Sequence, residues 1–153
     1  LDRFVKAAEY SEADAIVRIC ADNPLIDPGE IDRLIQDYNN GGADYVCNHQ
    51  DRLGSGYADG FGAEIFKFSL LKSIDKTELS HLYREHVTLY FWDHRDQISV
   101  RSLQAPSALN FPKLKFDVDT IEDFLVLETL IENGVSITSK AIEIIKIAEA
   151  MHD

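Results

Sequence analysis

Two periods of hydrophobicity run along this chain, and the points where one replaces the other divide it into strands and helices. Leu1, Val5 and Ala8 recur at helical spacing, with Phe4 beside them. The apolar run Ala15–Cys20 then predicts a short buried strand ending at Ala21-Asp22-Asn23-Pro24. A helix start follows, with Asp27 as the cap, Pro28 in the first turn and Glu30 three residues after the cap. Ile31, Leu34, Ile35 and Tyr38 carry that helix to Asn39-Asn40-Gly41-Gly42. Residues 44–48 read as a second strand, 63–68 as a third and 69–74 as a short helix. From Thr77 to Tyr90, the residues Leu79, Leu82, Tyr83, Val87 and Tyr90 predict one helix with an apolar face. Ile98 and Val100 alternate with polar neighbours as in a half-exposed strand, and Pro106 and Pro112 bracket a loop. Leu114, Phe116 and Val118 alternate in the same way and lead through Asp119 and Thr120 into a helix stopped by Asn133-Gly134. A last helix runs from about Ser139 to Met151. Strands alternating with helices predict an α/β layered domain.

Composition narrows the possible partners. With 27 acidic and 15 basic side chains the net charge is −12, which argues against a nucleic-acid footprint. No apolar run approaches the length of a membrane-spanning helix, so no membrane partner is expected. Cys20 and Cys47 lie in apolar runs without a zinc-ligand pattern, which fits buried thiols in a reducing, cytoplasmic setting. The chain opens at Leu1 already in a helical pattern and its single methionine is Met151, so it reads as a segment of a longer protein.

Two acidic turns carry the sharpest chemical possibility. Asp22 follows the first strand and Asp119 follows the strand at 114–118. Ligands of open α/β sheets collect beyond the carboxyl ends of strands, where two carboxylates suit one Mg²⁺. The plainer reading makes Asp22 a turn residue and Asp119 a helix cap boxed by Glu122. Asp27 is a cap on either view. His86 falls on the apolar stripe seven residues after Leu79, where a histidine is ordinarily a core residue. Arg84, Thr88 and Ser80 share a polar face that would meet either an acidic sugar or water. Residues 49–62 hold Gly54, Gly56, Gly60 and Gly62, half of the chain's 8 glycines, but match no phosphate cradle and read as a flexible loop. Tyr90-Phe91-Trp92 reads as aromatic core rather than a stacking platform.

Four segments in order resemble one family. Ala15 to Pro28 resembles the "V-R-I-x-G-D-x-P-L-I-D-P" segment of cytidylyltransferase-like proteins. Asp59-Gly60-Phe61-Gly62-Ala63-Glu64 resembles their "P-D-G-x-x-x-E" loop, Arg84 to Thr88 their "R-E-H-V-T" segment, and Leu114 to Phe124 their "L-R-x-T-V-D-T-x-E-D-L". The pattern is most similar to the SpsF type of spore-coat polysaccharide protein, with CMP-Kdo and CMP-sialic acid synthetases more distant. The resemblance implies a Rossmann-like three-layer α/β/α nucleotide-diphosphosugar transferase fold. The whole chain, residues 1–153, would be the carboxyl-terminal part of a single cytidylyltransferase domain. It also implies transfer of CMP from CTP to a sugar, with release of pyrophosphate.

The family pattern places Mg²⁺ on Asp22 and Asp119, Arg84 and His86 as catalytic groups, and Arg18, Asn48, Gly60, Glu64 and Glu85 around the substrate. A homodimer is a further possibility. Three departures stand out. Ala21 replaces the turn glycine and Ala58 the loop proline, while Asp117 adds a third carboxylate beside Asp119 and leaves open which one would ligate metal. Nothing matches the family's "R-x-x-S-x-R-L-P-x-K" triphosphate loop, so about two or three strand–helix units are expected to be missing. The chain alone is therefore expected to be inactive. The competing reading is a non-catalytic binding or interaction module on the same scaffold.

Overall fold

The structure is a computed structural model, and it describes residues 1–49, 52–75 and 80–151. Helices α1 (Asp2–Tyr10), α2 (Pro28–Asn39) and α3 (Phe68–Asp75) surround the strands β1 (Ala15–Ile19), β2 (Tyr45–Cys47) and β3 (Ala63–Lys67). Two short helices follow, α4 (His81–Glu85) and α5 (Leu89–Asp93), then strand β4 (Val100–Ser102) and the terminal helices α6 (Ile121–Glu132) and α7 (Ala141–Ala150).

The strands form one mixed sheet in the order β1-β3-β2-β4. β3 runs antiparallel to both β1 and β2, with Arg18 opposite Glu64 and Tyr45 opposite Phe66, while β2 and β4 are parallel. One face packs Tyr45, Phe66, Phe91 and Trp92 against Val5 of α1 and Leu71 of α3. The opposite face packs Val46, Ala63 and Ile65 against Leu34 of α2. Helices on both faces give the expected three layers. A third cluster at one end joins Tyr57, Phe61, Leu109 and Phe116 to Leu130 of α6 and Ile144 of α7.

Several sequence expectations are corrected. β1 is an edge strand with Val17 and Ile19 exposed, because among the described residues it pairs on one side only, with β3. Residues 114–118 form no strand. The segment is extended and pinned to the glycine loop, with Asp59 N donating to Leu114 O (2.9 Å) and Phe116 N to Asp59 O (3.0 Å). A single bridge, Asp59 with Lys115, is all that forms, since an irregular loop offers no ladder. The glycine loop is itself core over much of its length, with Tyr57, Ala58 and Phe61 fully buried. Gly60 shows why glycine is needed: φ is +92°, and a Cβ would lie 2.6 Å from Asp117 N.

The helix expected over 77–90 is two short ones. Thr77 and Leu79 lie outside the described residues, and the chain breaks at His86 (φ −92°, ψ 82°). His86 is consequently exposed rather than on an apolar stripe. Asp119 does not cap α6. Thr120 does, accepting from Asp123 N (3.2 Å), and Asp123 Oδ2 returns the bond to Thr120 N (2.9 Å). Asp27 caps α2 through Gly29 N (2.8 Å), but Glu30 bonds Tyr57 and Arg33 instead of closing a box.

Candidate active site

The two acidic turns meet at one rim of the molecule. The backbone N–H of Val118 donates to the carbonyl of Asp22 at 2.9 Å, so the turn leaving β1 and the segment entering α6 are joined where Asp22 and Asp119 sit. Both side chains are on exposed residues. Asp119 is paired with Lys115 at 3.2 Å, and Lys115 also reaches Asp123 at 2.8 Å and Asp117 at 3.6 Å. These carboxylates hold the Lys115 ammonium well above its usual range, led by the bond to Asp123. Asp117 lies deeper, and its Oδ1 is buried with no hydrogen-bond partner among the described residues. Burial first, and then the nearby Asp59 carboxylate, raise the Asp117 pKa to about 6.

Divalent-cation fit can be judged from this donor set. Among the described residues no three His, Cys, Asp or Glu side chains form a ready cage. The rim instead offers hard oxygen donors in small number, beside an orphaned buried carboxylate oxygen at Asp117. That set suits Mg²⁺, which takes one or two carboxylates and fills its remaining positions with water and phosphate oxygens.

A second constellation lies inside the sheet. Glu64 sits mid-strand among apolar neighbours and is buried. Its Oε1 accepts from Tyr45 Oη at 2.7 Å and Thr88 Oγ1 at 3.0 Å, and His49 Nε2 lies 3.0 Å away. Its Oε2 accepts from Arg18 Nη1 at 2.9 Å. Trp92 Nε1 donates to Tyr45 Oη at 3.1 Å and extends the chain of bonds. Burial pushes the Glu64 pKa up, but the His49, Arg18 and Tyr45 partners outweigh it and bring it to about 2. Glu64 is therefore ionised, with partners on both oxygens.

The other residues suggested by sequence are dispersed. Asn48 is fully buried and braces the glycine loop, with Oδ1 accepting from Ala63 N (2.7 Å) and Nδ2 donating to Phe61 O (3.4 Å). Gly60 packs its backbone on Phe116 and Asp117. Arg84 bonds Asp75 Oδ1 at 3.1 Å and also Asp2, which ties α4 to α3 and α1. Glu85 and His86 are exposed at the end of α4. Sequence reasoning missed Tyr45 and His49, and it put Thr88 on the same polar face as Arg84. Thr88 is in fact buried against Glu64. The available signal was Glu64 itself, an acid in the middle of the apolar run Ala63–Phe68.

Comparison with known proteins agrees with this architecture. The chain is similar over 99% of its length to a solved cytidylyltransferase structure from Leptospira borgpetersenii serovar Hardjo-bovis, with a TM-score of 0.87 and 27% identity, covering 62% of that chain. Its four-stranded mixed sheet between helices is the α/β fold of that cytidylyltransferase structure. Residues 1–150 match the cytidylyltransferase family model, and the chain belongs to that family. It is 34% identical over 135 residues to the spore coat polysaccharide biosynthesis protein SpsF of Bacillus subtilis, covering 88% of this chain and 54% of that protein. It is 33% identical over 124 residues to an uncharacterized protein of Methanocaldococcus jannaschii, covering 81% of this chain and 49% of that one. The chain thus spans about half the length of the curated relatives it matches.

Proposed function

We propose that the whole protein transfers CMP from CTP to a sugar and releases pyrophosphate, and that this chain supplies the acidic rim and the acceptor side of that site. The observation that carries the reading is the Val118–Asp22 backbone bond, which joins the two acidic turns at one rim. A hydroxyl or carboxylate oxygen of the sugar attacks the α-phosphorus. The new P–O bond forms as the bond to the β-phosphate oxygen breaks; a hydroxyl nucleophile loses its proton to solvent, and a carboxylate has none to lose.

Asp22 and Asp119 would hold Mg²⁺, with Asp117 in reserve beside them. When bound, the ion neutralises charge on the triphosphate and on the departing pyrophosphate. His86, exposed at the break between α4 and α5, orients the sugar together with Glu85. Arg84, tied to Asp2 and Asp75, anchors α4, which carries Glu85 and ends at His86. Asn48 and Gly60 hold the glycine loop that frames the rim.

The test is a pyrophosphate-release assay on the whole protein with CTP and a panel of sugars. Asp22→Asn and Asp119→Asn should each lower the rate on the order of 100-fold or more, at the upper end of what disturbing a metal site's supporting shell costs. Wild-type rates in both variants would remove these carboxylates from the site.

A further inference from the structure

Glu64 is buried and bonded to the fold. Tyr45, Thr88 and His49 surround Oε1 and Arg18 holds Oε2, all at 2.7–3.0 Å. Its partner Arg18 is in the opposite condition. Arg18 stands directly across from Glu64 in the β1–β3 register, on the edge strand, with its side chain 24% exposed. One guanidinium nitrogen, Nη1, is bonded to Glu64. The Cys20 thiol, two residues along the chain, also interacts with the guanidinium.

An arginine carries five N–H donors in a rigid plane, which matches an oxyanion in two-pronged fashion once the plane is held still. Here it is held from within. Trp92 fixes the Tyr45 hydroxyl, Tyr45 and Thr88 fix Glu64, and Glu64 fixes Arg18. On a chain of net charge −12, a guanidinium prepared in this way is a rare place for an anion to dock.

We infer that Arg18, fixed by Glu64, recognises an oxyanion of the substrate, a sugar carboxylate or a nucleotide phosphate, and that Glu64, Tyr45 and Thr88 are positioning residues that never touch the ligand. This rests on the transferase reading for the ligand's identity only.

Nuclear magnetic resonance of the protein, following the Arg18 Nε–Hε signal and the backbone amides of residues 18 and 64, tests the inference without any activity assay. Glucuronate, inorganic pyrophosphate and neutral glucose are the three probes. Either anion should shift the Arg18 signal saturably while glucose leaves it in place. A response to glucuronate alone assigns the sugar side, and a response to pyrophosphate alone assigns the nucleotide side. Arg18→Lys, read through the amides, should weaken the anion about tenfold because the planar fork is lost. Thr88→Val should weaken it with the thermal midpoint little changed, and Thr88→Ser should restore it. Glu64→Gln should do the same as Thr88→Val, and if it fails to fold the threonine pair decides. The inference is overturned if neither anion moves Arg18, if glucose moves it equally, or if Arg18→Lys binds as tightly as wild type. Absent pyrophosphate release with intact anion binding would instead count against the transferase reading.

Discussion

At the scale of single residues, Glu64 is the clearest case of a charge retained inside a core by its partners. Its folded pKa of about 2 lies below the ordinary value of 4.5. A carboxyl group lowered in this way adds stability that is fully present above about pH 4.5 and is lost as the pH falls through 2. The difference corresponds to about 3 kcal/mol. Urea unfolding of wild type and Glu64→Gln should therefore show a wide stability gap at pH 7 that persists to pH 5 and narrows steadily toward pH 2. A gap that widens in acid would mean that Glu64 is not the ionised centre of this network. The same carboxylate explains why the role of Thr88 is hidden from sequence. Thr88 sits next to Val87 in a segment that reads as helix, and only the fold brings it 3.0 Å from a strand residue 24 positions earlier.

At the scale of elements, capping makes a comparison possible within one molecule. Thr120 caps α6 in a local box with Asp123. Asp27 caps α2 through Gly29 N, and its other oxygen accepts from Ala141 N at the start of α7, also at 2.8 Å, across 114 residues. Losing one cap costs about 1 kcal/mol. Thr120→Ala should lower stability by about that amount and Asp27→Ala by about 2 kcal/mol. Equal losses in chemical denaturation would show that the Ala141 contact contributes nothing. The contrast also marks what sequence could reveal. The α2 start was legible because Asp27 and Pro28 act on their own neighbours, and the helix periods of α1, α6 and α7 are local too. The break at His86 was not, because the apolar face from Leu82 to Tyr90 continues through it while Thr88 is drawn to Glu64. The alternation at 114–118 was real, with Phe116 buried, yet its partner is the Gly60 turn rather than a strand. At the candidate site, the two acidic turns were legible as acids following apolar runs. The Arg18–Glu64 pair was not, since β-register depends on how β1 and β3 meet.

At the scale of the whole molecule, the β1 edge of the sheet is open among the described residues, with Arg18 as its one charge. Among the described residues β1 pairs with β3 alone, and Val17 and Ile19 are 37% and 43% exposed on it. An edge of this kind offers unpaired backbone groups together with apolar side chains, the combination that natural sheets avoid by charge, bulge or cover. A net charge of −12 opposes association of two copies. That repulsion is screened over about 10 Å at 0.1 M salt and about 3 Å at 1 M, whereas backbone pairing and apolar contact are not weakened by salt. The chain should thus sediment as a monomer in dilute buffer and form dimers or larger species at 1 M sodium chloride. Val17→Lys should suppress the salt-induced species, because it places a charge on the edge. Phe124→Lys serves as the control, since Phe124 is an exposed apolar residue on α6, far along the chain from β1. A wild-type chain that stays monomeric at 1 M salt would show that the β1 edge is not adhesive. Suppression by Phe124→Lys instead of Val17→Lys would move the contact to the exposed face of α6.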